Sequence, residues 1–344
     1  MSNLFKKVAC FTDIHFGHKH NSRTHNTDCE EFIIWFIEQA KARDCETCIF
    51  LGDWHHSRAN INVSTLNYTM SNLERLSEAF DTVYFITGNH DLYYREKREI
   101  HSMPMVKQFP NIIMVDEPLF KDDVAILPWL VDEELKKFKG LEEKYVFGHF
   151  EIPGFKLNAM IEMPDHGTGV QTSHFEKQDY VFSGHFHKRQ YNKNVHYIGN
   201  PFGHNYSDAG ETDRGAMFLE WDGKPEYVNW EDGPRYVNVV LSELLDNPDK
   251  YLKPKTFAKV VIDVDINYEE ALFLRETFIE THSIRELKLI PGVTSDHTEN
   301  SNSSGIKFET VDQIVLDELS NVDSNHFNVA KLINIYNNLQ GPKC

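Results

Sequence analysis

Five short motifs rich in aspartate, histidine and asparagine occur in the first part of this 344-residue chain. They are, in order, Asp13-Ile14-His15, Gly52-Asp53, Gly88-Asn89-His90-Asp91, Gly148-His149 and Gly184-His185-Phe186-His187. Each follows a short apolar segment typical of a buried β-strand, and most begin with a glycine, which allows the chain to turn sharply. Because the carboxyl ends of parallel strands gather at one edge of a sheet, the motif side chains are predicted to meet at one site.

The segments around these motifs predict an α/β fold. Strands are predicted over residues 7–12, 47–51, 82–86, 144–147 and 179–182. Apolar residues recur at helical spacing over 29–41 and 64–80, which predicts helices between the first strands. Alternation of strands and helices favours sheets covered by helices, with ligands bound at the strand ends.

The chain changes character after residue 222, where linker-like residues lead into a small α+β unit. Its predicted elements are strands over 236–241, 258–266 and 285–290 and a helix over 268–282. A polar, serine-rich and asparagine-rich run then indicates a flexible linker, followed by apolar positions that fit amphipathic helices. The predicted organisation is a first domain over 1–233, a second over 234–295, a linker over 296–305 and a C-terminal helical segment over 306–344.

Composition and charge exclude several classes of protein. Hydrophobic residues make up 40% of the chain, which is enough for a core and argues against disorder. Apolar runs are too short to cross a membrane, and the N-terminus lacks a signal-peptide core, so a soluble, cytoplasmic protein is expected. The net charge of −18 repels phosphates at long range. Any binding of nucleic acid must therefore depend on metals, on local basic patches or on a partner.

The motif side chains match the needs of phosphoester hydrolysis. Such a reaction needs a water activated to hydroxide and a charge-neutralising group, and two cations roughly 3.5–4 Å apart supply both. Asp53 is the natural bridging carboxylate, with Asp13 and His15 on one metal. Asn89, His149 and His185 are predicted on the other metal, and His187 is predicted to reach back to the first. Mixed oxygen and nitrogen ligands favour manganese, iron or zinc over calcium.

His90 is predicted to be catalytic without being a ligand. Held near the leaving oxygen, its imidazole could protonate the departing alkoxide, while Asp91 orients the ring and favours its charged form. Several nearby residues are candidates for contacts to the substrate, as alternatives to ordinary surface side chains. They are His55, His56, Arg95, Lys188 and Arg189.

The order and wording of the motifs resemble those of the calcineurin-like metallophosphoesterases. The resemblance spans about residues 8 to 222 and implies a two-layered β-sandwich flanked by helices. Asp13-Ile14-His15-Phe16-Gly17, together with the later segments 197–201 and 213–221, is similar to the SbcD-type nuclease subunits that repair DNA double-strand breaks. Among these, the chain length and tail are most similar to the nuclease subunit of the T-even-phage recombination endonuclease.

The resemblance implies a specific activity and set of partners. By resemblance, the chain is the nuclease subunit of an SbcCD-type complex, acting as an exonuclease on duplex DNA ends and as an endonuclease on single strands. It implies two divalent metal ions, with Mn²⁺ preferred, and a homodimer within a heterotetramer. The expected partner is an SbcC-like ABC-type ATPase with a coiled coil, docked by the C-terminal segment. By the same resemblance, the small α+β unit is expected to be a capping domain with DNA contacts.

Two other functions compete with this interpretation. One is a protein phosphatase or small-molecule phosphodiesterase on the same scaffold, although Asp53 is followed by Trp54-His55-His56 and not by Arg-Gly. The other is a non-catalytic scaffold subunit, against which the complete set of potential ligands argues. Hydrolysis of a chromogenic bis-phosphodiester, of a phosphoserine peptide or of neither separates the three.

Overall fold

The computed structural model describes residues 3–131, 134, 140–157, 161–165, 169–292, 319 and 328–339. The predicted linker over 296–305 and most of the C-terminal segment lie outside these residues. The described strands are β1 Lys7–Phe11, β2 Thr47–Phe50, β3 Thr82–Ile86, β4 Leu92–Tyr94, β5 Lys97–His101, β6 Ile112–Val115, β7 Leu119–Lys121, β8 Val124–Leu127, β9 Tyr145–His149, β10 Tyr180–Gly184, β11 Gln190–Asn192, β12 Val195–Tyr197, β13 Gly215–Glu220, β14 Glu226–Asn229, β15 Arg235–Val240, β16 Thr256–Ile262 and β17 Glu286–Pro291.

Helices connect these strands. The described ones are α1 His18–Asn21, α2 Arg23–Lys41, α3 Val63–Ala79, α4 Leu241–Asp246, α5 Pro248–Tyr251, α6 Tyr268–His282 and α7 Val329–Leu339. Among the described residues, no helix is both long enough and apolar enough to cross a membrane.

Two six-stranded sheets form the core. The first has the order β14-β13-β1-β2-β3-β6, and the second has the order β11-β12-β10-β9-β8-β7. Within each, the central strands β1-β2-β3 and β8-β9-β10 are parallel. One apolar cluster joins Cys10 and Ile49 of the first sheet to Ile126 and Phe147 of the second, so the sheets pack face to face. The predicted mixed α/β sandwich is confirmed.

The outer faces of the sandwich are covered differently. On the first sheet, Phe11 and Phe50 pack with Phe36 of α2 and Leu73 of α3 in a separate buried cluster. On the second sheet, the corresponding cluster is completed by side chains from the segments that follow β9, including Phe175. The helical layer explains why apolar residues recur at helical spacing only between the first strands.

Helix α2 begins at Arg23, six residues before the predicted start at Cys29. Its first turns carry buried polar residues, including Asn26, whose side-chain oxygen accepts a hydrogen bond from Gly17 N at 2.8 Å. Hydrophobic periodicity cannot detect a buried helical face made of polar side chains, which is why the sequence pattern missed this part.

The small α+β unit is a parallel sheet of β15, β16 and β17 with its own apolar cluster. Helix α6 coincides with the predicted helix over 268–282. The unit rests on the core through Arg285, which donates two hydrogen bonds of 2.6 Å to the buried carboxylate of Asp28 in α2. Bidentate pairs of this kind fix orientation as well as contributing energy.

Candidate metal centre

The five motifs converge where the parallel strands of both sheets end. Asp13 N donates to Gly52 O at 2.9 Å, and His15 N donates to Asp53 O at 3.1 Å, so the chain after β1 lies against the chain after β2. In the second sheet, Gly184 pairs with His149 in the ladder between β10 and β9. The facing sheets thereby bring residues more than 170 positions apart into one site, as the 3.2 Å approach of His15 and His187 shows.

Asp53 lies between two groups of potential ligands. Its Oδ2 is 3.7 Å from His15 Nε2, and its Oδ1 is 3.6 Å from His149 Nε2. On the first side, ligand atoms of Asp13, His15 and Asp53 lie within 4.8 Å of one another. His187 Nε2 is 3.2 Å from His15 Nε2 and so belongs to this side. The carboxylate of Asp53 therefore adjoins both groups.

The second group surrounds the side-chain oxygen of Asn89. That oxygen is 3.1 Å from His149 Nε2 and 2.9 Å from His185 Nδ1. Ligand atoms of Asp53, His149 and His185 also lie within 4.8 Å of one another. All seven side chains predicted as metal ligands are thus distributed over two adjoining groups.

The donor set fits divalent metal ions. Ligands bound to one ion at roughly 2.0–2.2 Å lie about 3 Å apart, the spacing of the two facing nitrogens of His15 and His187. His15 Nδ1 is buried and has no hydrogen-bond partner among the described residues. Burial lowers the pKa of His15 well below its usual value and that of His187 to about 4, so both rings are neutral. Neutral imidazole is the form that binds metals.

Burial also shifts the protonation of the acidic ligands. It raises the pKa of Asp13 to about 7, with the charge of Asp53 adding to the effect. Burial alone would lower the pKa of His149, but the charge of Asp53 and a hydrogen bond to it raise that pKa to about 9. Without a cation, protons therefore compensate the buried carboxylates, and metal binding must displace them.

The backbone of the site is strained in a way that is typical of functional sites. Asp13, His15 and Asp53 have φ angles of 52°, 52° and 62°, and His185 has a φ of 86°. These values lie in the left-handed region, which is unfavourable for residues other than glycine. The surrounding hydrogen bonds hold these four residues in this conformation.

His90 lies at the edge of the site without belonging to either group around Asp53. Its N–H donates to Asp53 Oδ1 at 2.8 Å, and its ring is 4.8 Å from the ring of His15. Its Nδ1 is 2.8 Å from the carbonyl oxygen of His56. Because a carbonyl only accepts hydrogen bonds, Nδ1 carries the proton of the neutral ring, and Nε2 is the remaining atom for exchange with a substrate.

A family model described as calcineurin-like phosphoesterase matches residues 6–189, more than half of the chain. The chain belongs to this family. It is therefore a metallophosphoesterase, a hydrolase of the kind that uses divalent metal ions, as its motifs indicated. The predicted family and fold class are confirmed.

The phosphoesterase is also similar to individual known proteins. It is 27% identical over 274 residues to exonuclease subunit 1 of Enterobacteria phage T4, covering 76% of this chain and 78% of that protein. Among solved structures, the nuclease MPE of Pseudomonas putida shares 18% identity with a TM-score of 0.32, covering 64% of this chain and 87% of its own. A dimetal phosphatase from Danio rerio shares 11% identity with a TM-score of 0.38, covering 64% and 93%.

Asp91 does not orient His90 in this phosphoesterase, so that prediction is wrong. Its buried carboxylate accepts hydrogen bonds from the backbone N–H groups of Asp53, Trp54, His55 and Gly88, at 2.9 to 3.0 Å. The orienting group of His90 is instead the carbonyl of His56. Asp91 therefore holds together the two loops that present Asp53 and Asn89, and its effect on chemistry is indirect.

The prediction that His55 contacts substrate is also wrong. His55 is 1% exposed, and both of its ring nitrogens are 2.8 Å from hydroxyl groups of the protein, those of Ser102 and Thr69. Its neighbour His56 is half-buried, and its ring lies 5.4 Å from His15. Of these two neighbouring histidines, His56 is the one placed to reach a substrate at the metal site.

The three predicted basic contacts differ in their surroundings. Arg95 is exposed, is paired with Glu151 at 3.0 Å and lies over the ring of Trp129, which touches His185. Lys188 is paired with Glu211. Arg189 is half-buried, and its guanidinium donates to Ile198 O and Asn229 Oδ1 and stacks on Tyr227, which argues against a phosphate contact. Arg95 remains the best placed of the three.

Sequence reasoning missed three side chains next to the ligands. Glu151 lies 3.7 Å from His185 Nε2, and His204 is buried beside His15 and His187. Arg214 donates to His187 O at 2.9 Å and pairs with Asp208 at 3.1 Å. His204 follows a glycine in the sequence, as His149 and His185 do, and that similarity was the available signal.

Proposed function

We propose that this phosphoesterase is a two-metal DNA nuclease, the nuclease subunit of an SbcCD-type recombination and repair complex in the cytoplasm. It hydrolyses DNA phosphodiesters, as an exonuclease on duplex ends and as an endonuclease on single strands. The observation that carries the proposal is the arrangement of seven potential ligands around a central Asp53. Similarity to a phage exonuclease subunit over three quarters of the chain supports DNA as the substrate.

Asp13, His15, Asp53 and His187 are proposed to hold one ion, and Asp53, Asn89, His149 and His185 the other. When bound, the two ions would activate water and neutralise charge on the phosphate. The two carboxylates leave such a site with net positive charge, which suits an anionic phosphodiester. Four imidazoles favour Mn²⁺ over Mg²⁺, since Mg²⁺ prefers surroundings made only of oxygen.

His90 is the proposed general acid. In its protonated form, its Nε2 can donate to the oxygen that leaves the phosphorus, while the hydrogen bond from Nδ1 to His56 O keeps the ring in place. The hydrogen bond from His90 N to Asp53 Oδ1 sets the distance between this acid and the metal site. The proposed acid, His90, and the proposed ligand Asn89 are therefore neighbours in one short loop.

DNA binding and partners follow the same proposal. A net charge of −18 gives weak binding of duplex DNA by the isolated subunit. The proposed partner that raises the DNA affinity is an SbcC-like ABC-type ATPase. The two proteins would form a heterotetramer that contains a homodimer of this chain. The α+β unit over 234–295 is the proposed capping domain. The proposed docking element is the segment over 306–344, of which the structure describes helix α7.

A substrate panel tests the activity. Metal-stripped protein is supplied with Mn²⁺ or Mg²⁺ and assayed on linear duplex DNA, single-stranded DNA circles, a chromogenic bis-phosphodiester and a phosphoserine peptide. Hydrolysis of both DNA substrates and of the bis-phosphodiester is expected, with Mn²⁺ outperforming Mg²⁺. Hydrolysis of the peptide but not of DNA would identify a protein phosphatase. Inactivity on every substrate would indicate a scaffold subunit.

Two variants separate acid catalysis from metal binding. His90→Ser is expected to lower turnover by about a hundredfold or more while retaining both metal equivalents, because His90 is not assigned as a ligand. Asp53→Ala is the comparison variant for metal binding and is expected to lose metal and activity together. Metal content per chain is counted beside the rate, and loss of one equivalent in His90→Ser would make His90 a ligand.

Truncation tests the partner. A chain ending at Thr294 lacks the docking segment but keeps every residue of the metal site. It is expected to fold and bind metal normally, to fail to co-purify with the ATPase and to gain no DNA affinity from it. Undiminished co-purification would move the docking role to the capping domain.

A further inference from the structure

His204 is a buried imidazole beyond the part of the chain that the family model matches, which ends at residue 189. It is 2% exposed, and its ring lies 5.4 Å from that of His15 and 5.2 Å from that of His187. Across the described ranges, its Nε2 has no hydrogen-bond partner. A buried polar atom without a partner is costly unless something else satisfies it.

The neighbours of His204 indicate what satisfies this nitrogen. Ligand atoms of His15, His187 and His204 lie within 4.8 Å of one another, as do those of Asp13, His15 and Asp53. His15 is common to both groups, so His204 adjoins the donors of the first position. His204 packs against the ring of Phe202 and against four other imidazoles, those of His15, His18, His25 and His187.

The loop that carries His204 is tied to the metal site. Its N–H donates to Asp208 Oδ2 at 2.7 Å, and Asp208 pairs with Arg214 at 3.1 Å. The same arginine donates to His187 O at 2.9 Å. One guanidinium therefore sets the positions of both histidines, which is the kind of outer support that orients metal ligands.

We propose that His204 is an additional ligand of the ion held by Asp13, His15, Asp53 and His187. A third imidazole makes that position richer in nitrogen than the other, which strengthens its preference for Mn²⁺, Fe²⁺, Co²⁺ or Zn²⁺ over Mg²⁺. The inference rests on the metal assignment of the proposed function but not on DNA as the substrate.

Cobalt binding tests this inference without any substrate. The full chain is stripped with EDTA and titrated with Co²⁺, and the visible absorption and the bound metal per chain are recorded. His204→Phe is expected to weaken the binding of one of the two Co²⁺ equivalents by about tenfold or more and to change the absorption spectrum. His196→Phe, the same change at a half-buried histidine remote from the site, is the matched control and is expected to bind as the wild type does.

A second variant covers the case in which the phenylalanine disrupts the loop. His204→Gln keeps a polar side chain and is expected to weaken the same equivalent. Wild-type stoichiometry, affinity and spectrum in either folded variant would overturn the assignment. Wild-type protein that shows the spectrum dependent on His204 but cleaves no DNA would overturn the nuclease proposal alone.

Discussion

At the scale of single residues, the chemistry of this site depends on which side chains are already occupied by the protein. His90 and His56 are half-buried, whereas Asp91 and His55 are buried and use their polar atoms on the protein itself. Histidines of one site therefore have different roles.

Replacing Asp91 by alanine is expected to destabilise the fold. It leaves four buried backbone N–H groups without their acceptor, which costs about 3 kcal/mol or more in the free energy of unfolding. The measurement is urea denaturation of metal-free protein, with the exposed Asp232→Ala as control. A stable Asp91→Ala variant that loses only turnover would restore the role of orienting His90.

His196 is expected to make stability depend on pH, apart from the metal site. Its ring stacks on Tyr227, and burial lowers its pKa to about 4. As pH falls below the unfolded value of about 6.5, the unfolded chain takes up a proton first, so stability is lost between there and pH 4, by about 1–2 kcal/mol. Denaturation of metal-free protein across this range should show a smaller loss in His196→Phe, with the exposed His20→Phe as control.

At the scale of elements, the ends of the strands position the side chains of the metal site. Strands β2 and β3 end in tight turns that lie against each other, with Gly88 of the second turn next to Asp53 of the first. A β-carbon on Gly88 would lie 2.2 Å from Asp53 Oδ1 and 2.8 Å from His149 Cε1. The glycine is required for close approach of the ligand loops, in addition to the freedom it gives the turn.

Gly88→Ala is therefore expected to displace Asp53 and to weaken both metal positions at once, since this carboxylate adjoins both. Bound Mn²⁺ per chain and turnover are predicted to fall together, while the secondary structure remains. Gly223→Ala, in a turn remote from the site, serves as the control. Full metal content in Gly88→Ala would mean that the loops can separate without cost to the site.

At the scale of the whole molecule, the site joins two sheets that pack face to face through a shared apolar cluster. Asp13 and Asp53 come from the first sheet, and His149 and His185 from the second. Ions held between them would act as links across the sandwich, and any ligand that binds only the folded state stabilises it. Metal binding and global stability are therefore expected to be coupled.

Removal of metal is expected to lower the melting temperature, and Mn²⁺ to restore it. At a hundredfold excess over the dissociation constant, each bound Mn²⁺ is expected to add about 2.7 kcal/mol to the free energy of unfolding. The raised pKa values of Asp13, about 7, and His149, about 9, set the direction of the pH effect. Protons compete with the cation, so Mn²⁺ affinity should rise between about pH 6 and pH 8. Thermal scans and calorimetric titrations at both values check this, and affinity independent of pH would contradict the ligand assignment.

The sequence by itself determined the strand-end motifs, the mixed α/β fold and the side chains that converge around Asp53. Local patterns suffice there, because a strand followed by a glycine turn places its next polar residue at the sheet edge whatever the rest of the chain does. Only the tertiary structure decided that Asp91 binds the loop of Asp53, that His55 is satisfied internally and that His204 enters the site. These outcomes depend on partners from about 14 to 190 residues away, as for His55 with Thr69 and His204 with His15, and no local pattern encodes such distances.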